Sequence, residues 1–290
     1  MCDDHTAEDN DRFLGIAHPS RRQFGMMTGV AGLMAVLPVP ANAAAIKGRD
    51  VVIDTPEGRA DAYFVAPATG KHPGVLIWPD IMGLRPAFRQ MAERLAQSGY
   101  AVLVVNQFYR STKAPFLKAG ESFDQPDVRA KIMPFVEKLT SAGTVSDAKA
   151  FTTFLDAQKE VDAKRGLAST GYCMGGPMVF RTVAARADRY RAGATFHGGG
   201  LVGDKPDSPN ALIPQMKADF LIAIAENDDQ RAPTDKDVLR KAFAAAKLPA
   251  EIEVYKGTMH GWCPPDSRVY NQAQADRAWE RMLALFKTAL

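Results

Sequence analysis

Three cysteines in 290 residues are too few for a disulfide framework, so the fold has to be held by an ordinary apolar core. Strong charge of either sign is also missing, with 36 lysines and arginines against 33 acidic residues and a net charge of +3. The nearest thing to a basic cluster is Arg181, Arg186, Arg189 and Arg191. It has no aromatic stacking residues interleaved and reads as a solvated helix face, so nucleic acid is not expected as a partner. No repeat at solenoid periods and no low-complexity block interrupts the chain after its first few dozen residues. The longest amino-terminal apolar stretch, Gly25 to Leu37, falls short of the ~20 residues needed to cross a bilayer. Histidine is scarce, with five in all. No complete zinc-ligand set accompanies His260 and Cys263, so neither a metal nor another cofactor is called for.

What is present begins with a leader-like segment, "SRRQFGMMTGVAGLMAVLPVPANA". Paired Arg21 and Arg22, an apolar stretch and a small-residue Ala41-Asn42-Ala43 ending follow the order of an export signal with its cleavage site. Ser20-Arg21-Arg22-Gln23-Phe24 resembles a twin-arginine signal, with Met26 where a lysine is common. Such a signal is an address read by export machinery rather than an anchor. The expectation is a signal over residues 1–43, a folded domain over 44–290, periplasmic or secreted location, and no membrane association once the signal is removed. Cutting after Ala43 leaves about 247 residues with a charge of +5, enough for one large domain. It also removes Cys2, His5 and His18, leaving Cys173 and Cys263 with His72, His197 and His260.

The remaining chain alternates strand and helix. "DVVID" (50–54) and "DAYFVA" (61–66) alternate in polarity around Pro56-Glu57-Gly58 and read as an antiparallel hairpin at a sheet edge. Continuous apolar runs follow at 74–78, 100–105, 167–172, 192–196, 220–225 and 251–255, as expected of strands covered on both faces. Helical patterns lie at 86–97, 145–158, 177–187, 235–246 and 270–288. This series predicts an α/β fold with a mostly parallel central sheet flanked by helices on both faces. Gln107 to Thr144 is long and irregular, with a helix expected near 126–139, and an insertion of this kind often shapes a binding site.

Ligands of open α/β sheets sit beyond the carboxyl ends of the strands, and reactive residues concentrate there. Asp80 follows the 74–78 strand, Arg110 follows 100–105, Cys173 follows 167–172 and His197 follows 192–196. Asp228 and Asp229 follow 220–225, and His260 follows 251–255. "GYCMGG" places Cys173 between small residues after a strand and before a helix, the context of a nucleophile elbow. Gly171 and Gly175 let strand and helix close on each other, and Pro177 suits the helix's first turn. Near a helix amino terminus a cysteine is favoured as thiolate. A lone cysteine is more often inert core. Here it is followed in order by an acid and a histidine, the order nucleophile, acid, base used by elbow enzymes of this fold. His72 precedes a strand and lies at the wrong end of the sheet. His260 is the histidine placed to reach both Cys173 and Asp228, with Asp229 as the competing acid.

"GYCMGG", "AENDDQRAP" and "YKGTMHGW" resemble the dienelactone hydrolase family, from about residue 48 to the carboxyl terminus. "WPDIMGL" (78–84) and "NQFYR" (106–110) are similar to that family's segments after the third and fourth strands. The resemblance implies an α/β-hydrolase fold, a Cys173–Asp228–His260 triad and an oxyanion hole built from the N–H groups of Ile81 and Met174. It implies a lactone or ester substrate and an acyl-enzyme. Asp80 stands where the family has a glutamate that partners the thiol, and it is one methylene shorter. Arg110 matches the first of two arginines that hold a substrate carboxylate. The second is missing after His260, where Gly261-Trp262-Cys263-Pro264-Pro265 stands, leaving Arg85 or Arg268 as candidates. His197 in "TFHGGG" is a candidate substrate contact or a satisfied structural histidine. Cys263, three residues after His260, raises a reversible Cys173–Cys263 disulfide. The rival functions are a broader esterase or thioesterase on short acyl groups, and a non-catalytic, redox-responsive thiol protein on the same fold.

Overall fold

A computed structural model describes residues 4–15, 35, 37–40 and 42–290. Arg21, Arg22, Ala41 and most of the apolar stretch expected in an export signal lie outside the described residues. Among the described residues no helix is long and apolar enough to cross a membrane. The first element is a helix, α1 (Asp4–Phe13). The fold proper starts with β1 (Ile46–Thr55) and β2 (Gly58–Pro67), the predicted hairpin with both strands longer than expected.

All eight predicted strands form one sheet in the order β1-β2-β4-β3-β5-β6-β7-β8. The remaining six are β3 (Gly74–Trp78), β4 (Ala101–Val105), β5 (Leu167–Tyr172), β6 (Tyr190–Phe196), β7 (Asp219–Ala225) and β8 (Ala250–Tyr255). β1 and β2 pair antiparallel, as do β2 and β4, and every later pairing is parallel. The period of two along each strand divides the core. Val75, Ile77, Val102, Val104, Leu221 and Ala223 belong to one layer, with Phe88, Trp279 and Phe286 from α2 (Pro86–Gln97) and α9 (Gln272–Ala289). Leu76, Trp78, Leu103, Val105, Phe220 and Ile222 belong to the other, with Phe151, Phe180 and Phe243. These three come from α4 (Ser141–Asp156), α5 (Gly175–Ala185) and α8 (Asp235–Ala246). Strands hydrophobic on both faces are buried between helices on both faces, which is the α/β-hydrolase architecture.

The insertion after β4 contains α3 (Pro126–Val136). It carries its own small core of Phe108, Phe123, Val128 and Ile132, joined by Ile81 and packed against Met174 and Phe116. Phe108, Phe116 and Phe135 meet one another with ring centroids 5.6 to 6.0 Å apart. The insertion is therefore anchored on Ile81, just after β3, and on Met174, the residue that follows Cys173 in the turn between β5 and α5. Two short helices escaped the sequence pattern, α6 (Pro209–Leu212) and α7 (Glu226–Arg231). α7 spans fewer than two turns, too short for a periodic apolar stripe to show.

Candidate active site

Four consecutive strands, β5 to β8, each deliver one residue to the same place. Cys173 follows β5, His197 follows β6, Asp228 sits in the first turn of α7 after β7, and His260 lies in the loop after β8. Strand order alone brings them together, because the four strands are neighbours.

Cys173 has φ 53°, a left-handed conformation that costs a non-glycine residue free energy and is found at sites where the surroundings enforce it. Its N–H donates to the Phe196 carbonyl at 3.0 Å and its carbonyl accepts from the Gly176 N–H at 3.0 Å. The flanking glycines are steric necessities. A Cβ on Gly171 would lie 2.3 Å from the Gly175 carbonyl oxygen, and one on Gly175 would lie 2.3 Å from the Trp78 carbonyl oxygen. His197 has φ 42° and is the second strained residue of the site.

The acid left open by the sequence is resolved by contacts. The Nδ1–H of His260 donates to Asp228 at 2.8 and 3.0 Å, whereas Asp229 turns to Lys236 at 2.6 Å. Asn227, which sequence reasoning passed over, accepts the His260 backbone N–H at 2.8 Å. Glu226 likewise accepts from the Gly257 N–H at 3.0 Å, so α7 and the β8 loop are latched together on both sides of the Asp228–His260 pair. Burial works against a proton on His260, but the charges of Asp228 and Cys173 and hydrogen bonds to both push its pKa up to about 10. With Nδ1 committed to Asp228, Nε2 is the nitrogen left for the Cys173 thiol.

Asp80 is taken by Arg85. Arg85 donates to both Asp80 oxygens at 2.7 and 2.9 Å and to both Asp266 oxygens at 2.9 and 2.6 Å. The Met82 N–H adds a 2.9 Å bond to Asp80. Burial lifts the Asp80 carboxyl above its ordinary range, against the opposing pull of Arg85. Asp80 thus orders the turn that presents Ile81, and its charge is felt by the Cys173 thiol. Gln107, also passed over, is buried and donates its Nε2–H to the Asp80 carbonyl at 2.7 Å. That carbonyl shares a peptide plane with the Ile81 N–H, so Gln107 fixes the direction of the expected oxyanion-hole donor.

Arg110 is committed to carboxylates of the protein. Its Nη1 and Nη2 donate to Asp147 at 2.7 and 2.8 Å and its Nε to Glu57 at 2.8 Å. Arg268 is held by Asp124 at 2.8 Å and by Asp11 at 2.6 Å. Cys173 and Cys263 are both buried, and no disulfide joins them. Cys263 lies in an apolar pocket with Met91, Tyr172, Phe196 and Trp279, where burial raises its pKa and leaves it unreactive. His197 is 1% exposed; the Cys173 thiol is a loose hydrogen-bonding neighbour of its ring, and no other group among the described residues pairs with either ring nitrogen. Its ring lies 5.0 Å from that of His260 and 5.1 Å from that of Trp262. Among the described residues no cluster of three or more metal-ligating side chains occurs.

The sequence profile of the Dienelactone hydrolase family matches residues 60–290. The chain is 26% identical over 232 residues to the Escherichia coli (strain K12) protein named "Putative carboxymethylenebutenolidase", covering 78% of this chain and 81% of that one. It is 27% identical over 274 residues to a protein of the same name from Methylorubrum extorquens, covering 90% and 89%. Among solved structures, the "Putative Dienelactone Hydrolase" of Klebsiella pneumoniae superposes with a TM-score of 0.70 at 26% identity, covering 84% of this chain and 99% of that one. The Anabaena variabilis dienelactone hydrolase, at 16% identity and a TM-score of 0.59, shares the fold over 84% of this chain and 99% of its own.

Proposed function

Because the chain belongs to the dienelactone hydrolase family, and is a hydrolase of that family, we propose that it cleaves a lactone or ester through an acyl-enzyme on Cys173. The observation that carries the reading is the His260–Asp228 pair beside a buried cysteine on a strained turn. His260, positive with its proton held by Asp228, stabilises the Cys173 thiolate. The thiolate attacks the carbonyl carbon, and the carbonyl π pair moves to oxygen. The N–H groups of Ile81 and Met174 receive that negative charge, a contribution of ~3 kcal/mol per donor in acyl transfer. Collapse breaks the carbon–oxygen bond of the leaving group, which takes the proton from His260. Neutral His260 then removes a proton from water, and the resulting hydroxide attacks the thioester. Expulsion of the thiolate restores the thiolate–imidazolium pair and releases the acid.

The order of paired arginines, apolar stretch and Ala41-Asn42-Ala43 supports export of this hydrolase by the twin-arginine route with cleavage after Ala43. Amino-terminal sequencing of the exported protein checks that. The chemistry is checked by hydrolysis of a dienelactone and of an aryl acetate, comparing residues 44–290 with its Cys173→Ala variant. Turnover lost in the variant supports the cysteine nucleophile, and turnover surviving in it contradicts the proposal.

A further inference from the structure

The site contains a buried imidazole that the acyl-transfer steps do not use. His197 follows β6, stands edge-on to His260 and Trp262, and has the Cys173 thiol as a loose hydrogen-bonding neighbour, which leaves at least one ring nitrogen without a partner. A polar group buried without a hydrogen bond costs free energy, so a site that retains one commonly completes it with a ligand. The Cys173 thiol and His260 are both its neighbours, so a ligand atom that reaches the ring is next to the reacting carbonyl. Burial and the positive His260 lower its pKa, with Cys173 and Asp228 opposing. In the neutral form one nitrogen donates and the other accepts.

The arginines that could clamp a substrate carboxylate are, among the described residues, already held by carboxylates of the protein. Arg85, Arg110 and Arg268 are the arginines that the sequence offers for that role, and carboxylates within residues 44–290 hold each one. These are Asp80 and Asp266 for Arg85, Asp147 and Glu57 for Arg110, and Asp124 for Arg268. Arg85 and Arg110 have all three nitrogens engaged in this way. Recruiting either one for a substrate would strip a partner from a buried carboxylate, which is strongly unfavourable.

We propose that the substrate is an uncharged ester or lactone, and that His197 determines specificity by hydrogen-bonding a neutral polar group, an ether, hydroxyl or carbonyl oxygen, beside the scissile carbonyl. This rests on Cys173 being the nucleophile. A carboxylate-bearing lactone such as carboxymethylenebutenolide is then a poor substrate for this member of the family.

The test uses aryl esters, so that one leaving group reports on every acyl group. 4-Nitrophenyl hemisuccinate is compared with its methyl ester, and 4-nitrophenyl methoxyacetate with the acetate. The wild-type protein is expected to prefer the methyl ester over the hemisuccinate by about tenfold or more in kcat/KM, equivalent to ~1.4 kcal/mol. In His197→Phe, which keeps the ring and loses both nitrogens, the methoxyacetate-to-acetate ratio of kcat/KM is expected to fall about tenfold, and His197→Gln to recover most of it. A merely structural histidine lowers both esters together and leaves the ratio unchanged, which overturns the proposal. So does a wild-type preference for the hemisuccinate, or no discrimination between the succinates. Turnover that survives in Cys173→Ala, or no turnover of any ester by the wild type, instead overturns the function reading beneath it.

Discussion

Gly175→Ala is a single-methyl perturbation whose effect follows from the geometry of the elbow. The new Cβ would stand 2.3 Å from the Trp78 carbonyl oxygen, 2.8 Å from that of Pro79 and 2.9 Å from the Trp78 carbonyl carbon. All three are backbone atoms at the end of β3, so no side chain can rotate away. Restoring ordinary contact near 3.4 Å requires α5 and the end of β3 to part by about 1 Å. The two pieces carry the two expected oxyanion donors, Met174 on the helix side and Ile81 on the strand side. A misplacement of that size at a reacting centre costs about 100-fold in rate, and overpacking of this kind about 1–3 kcal/mol in stability. The assay is aryl acetate hydrolysis under saturating substrate, with urea denaturation of the same samples. Gly120→Ala serves as the control: its φ of 84° makes alanine strained, but nothing lies within 4 Å of the added methyl, so stability falls while kcat stays within about threefold. Gly175→Ala with wild-type kcat would refute the reasoning that close backbone approach sets the oxyanion geometry.

Asp228→Asn is expected to lower kcat about 10⁴-fold, the size seen when a triad acid is neutralised elsewhere. Asp229→Asn, which only releases Lys236, should stay within about threefold. Equal losses in the two would remove the assignment. The same pair of groups makes a pH prediction. His260 has a pKa raised from 6.5 to about 10 in the folded protein, so its stabilising effect is complete below 6.5 and fades as pH rises through about 10. The urea midpoint of the wild type should therefore exceed that of Asp228→Asn most at pH 6 and least at pH 10.5, and a gap that widens with pH would be contrary. Gln107→Leu removes the bond that aims the Ile81 peptide, and kcat should fall about 10- to 100-fold with KM nearly unchanged. A change confined to KM would make Gln107 a binding residue instead.

Much of this was legible in the chain because strand signals and reactive residues coincide. Both-face apolar runs such as "GVLIW" and "YAVLVV" became β3 and β4 almost to the residue. Placing Cys173, Asp228 and His260 at strand ends was enough to predict a shared site, since sheet topology does the rest. What stayed hidden depends on direction rather than position. Asp228 and Asp229 are adjacent, and the short helix α7 turns one toward His260 and the other toward Lys236. Arg110 follows β4 and Arg85 precedes α2, where either could be read as a carboxylate clamp, yet their partners Asp147 and Asp266 are 37 and 181 residues away along the chain. No local pattern announces such pairings. Asn227 and Gln107 act through backbone groups of other segments, so their residue types alone gave no signal.

The central claim is that an acyl group passes through Cys173, and trapping it is the most direct test. Residues 44–290 are mixed with 4-nitrophenyl acetate, quenched in acid within the first turnover, digested and read by mass spectrometry. One acetyl group is expected on the peptide containing Cys173, none on the peptide containing Cys263, and no acetylation in Cys173→Ala. Steady turnover with Cys173 unmodified at every time, or acetyl carried by Cys263, would contradict it.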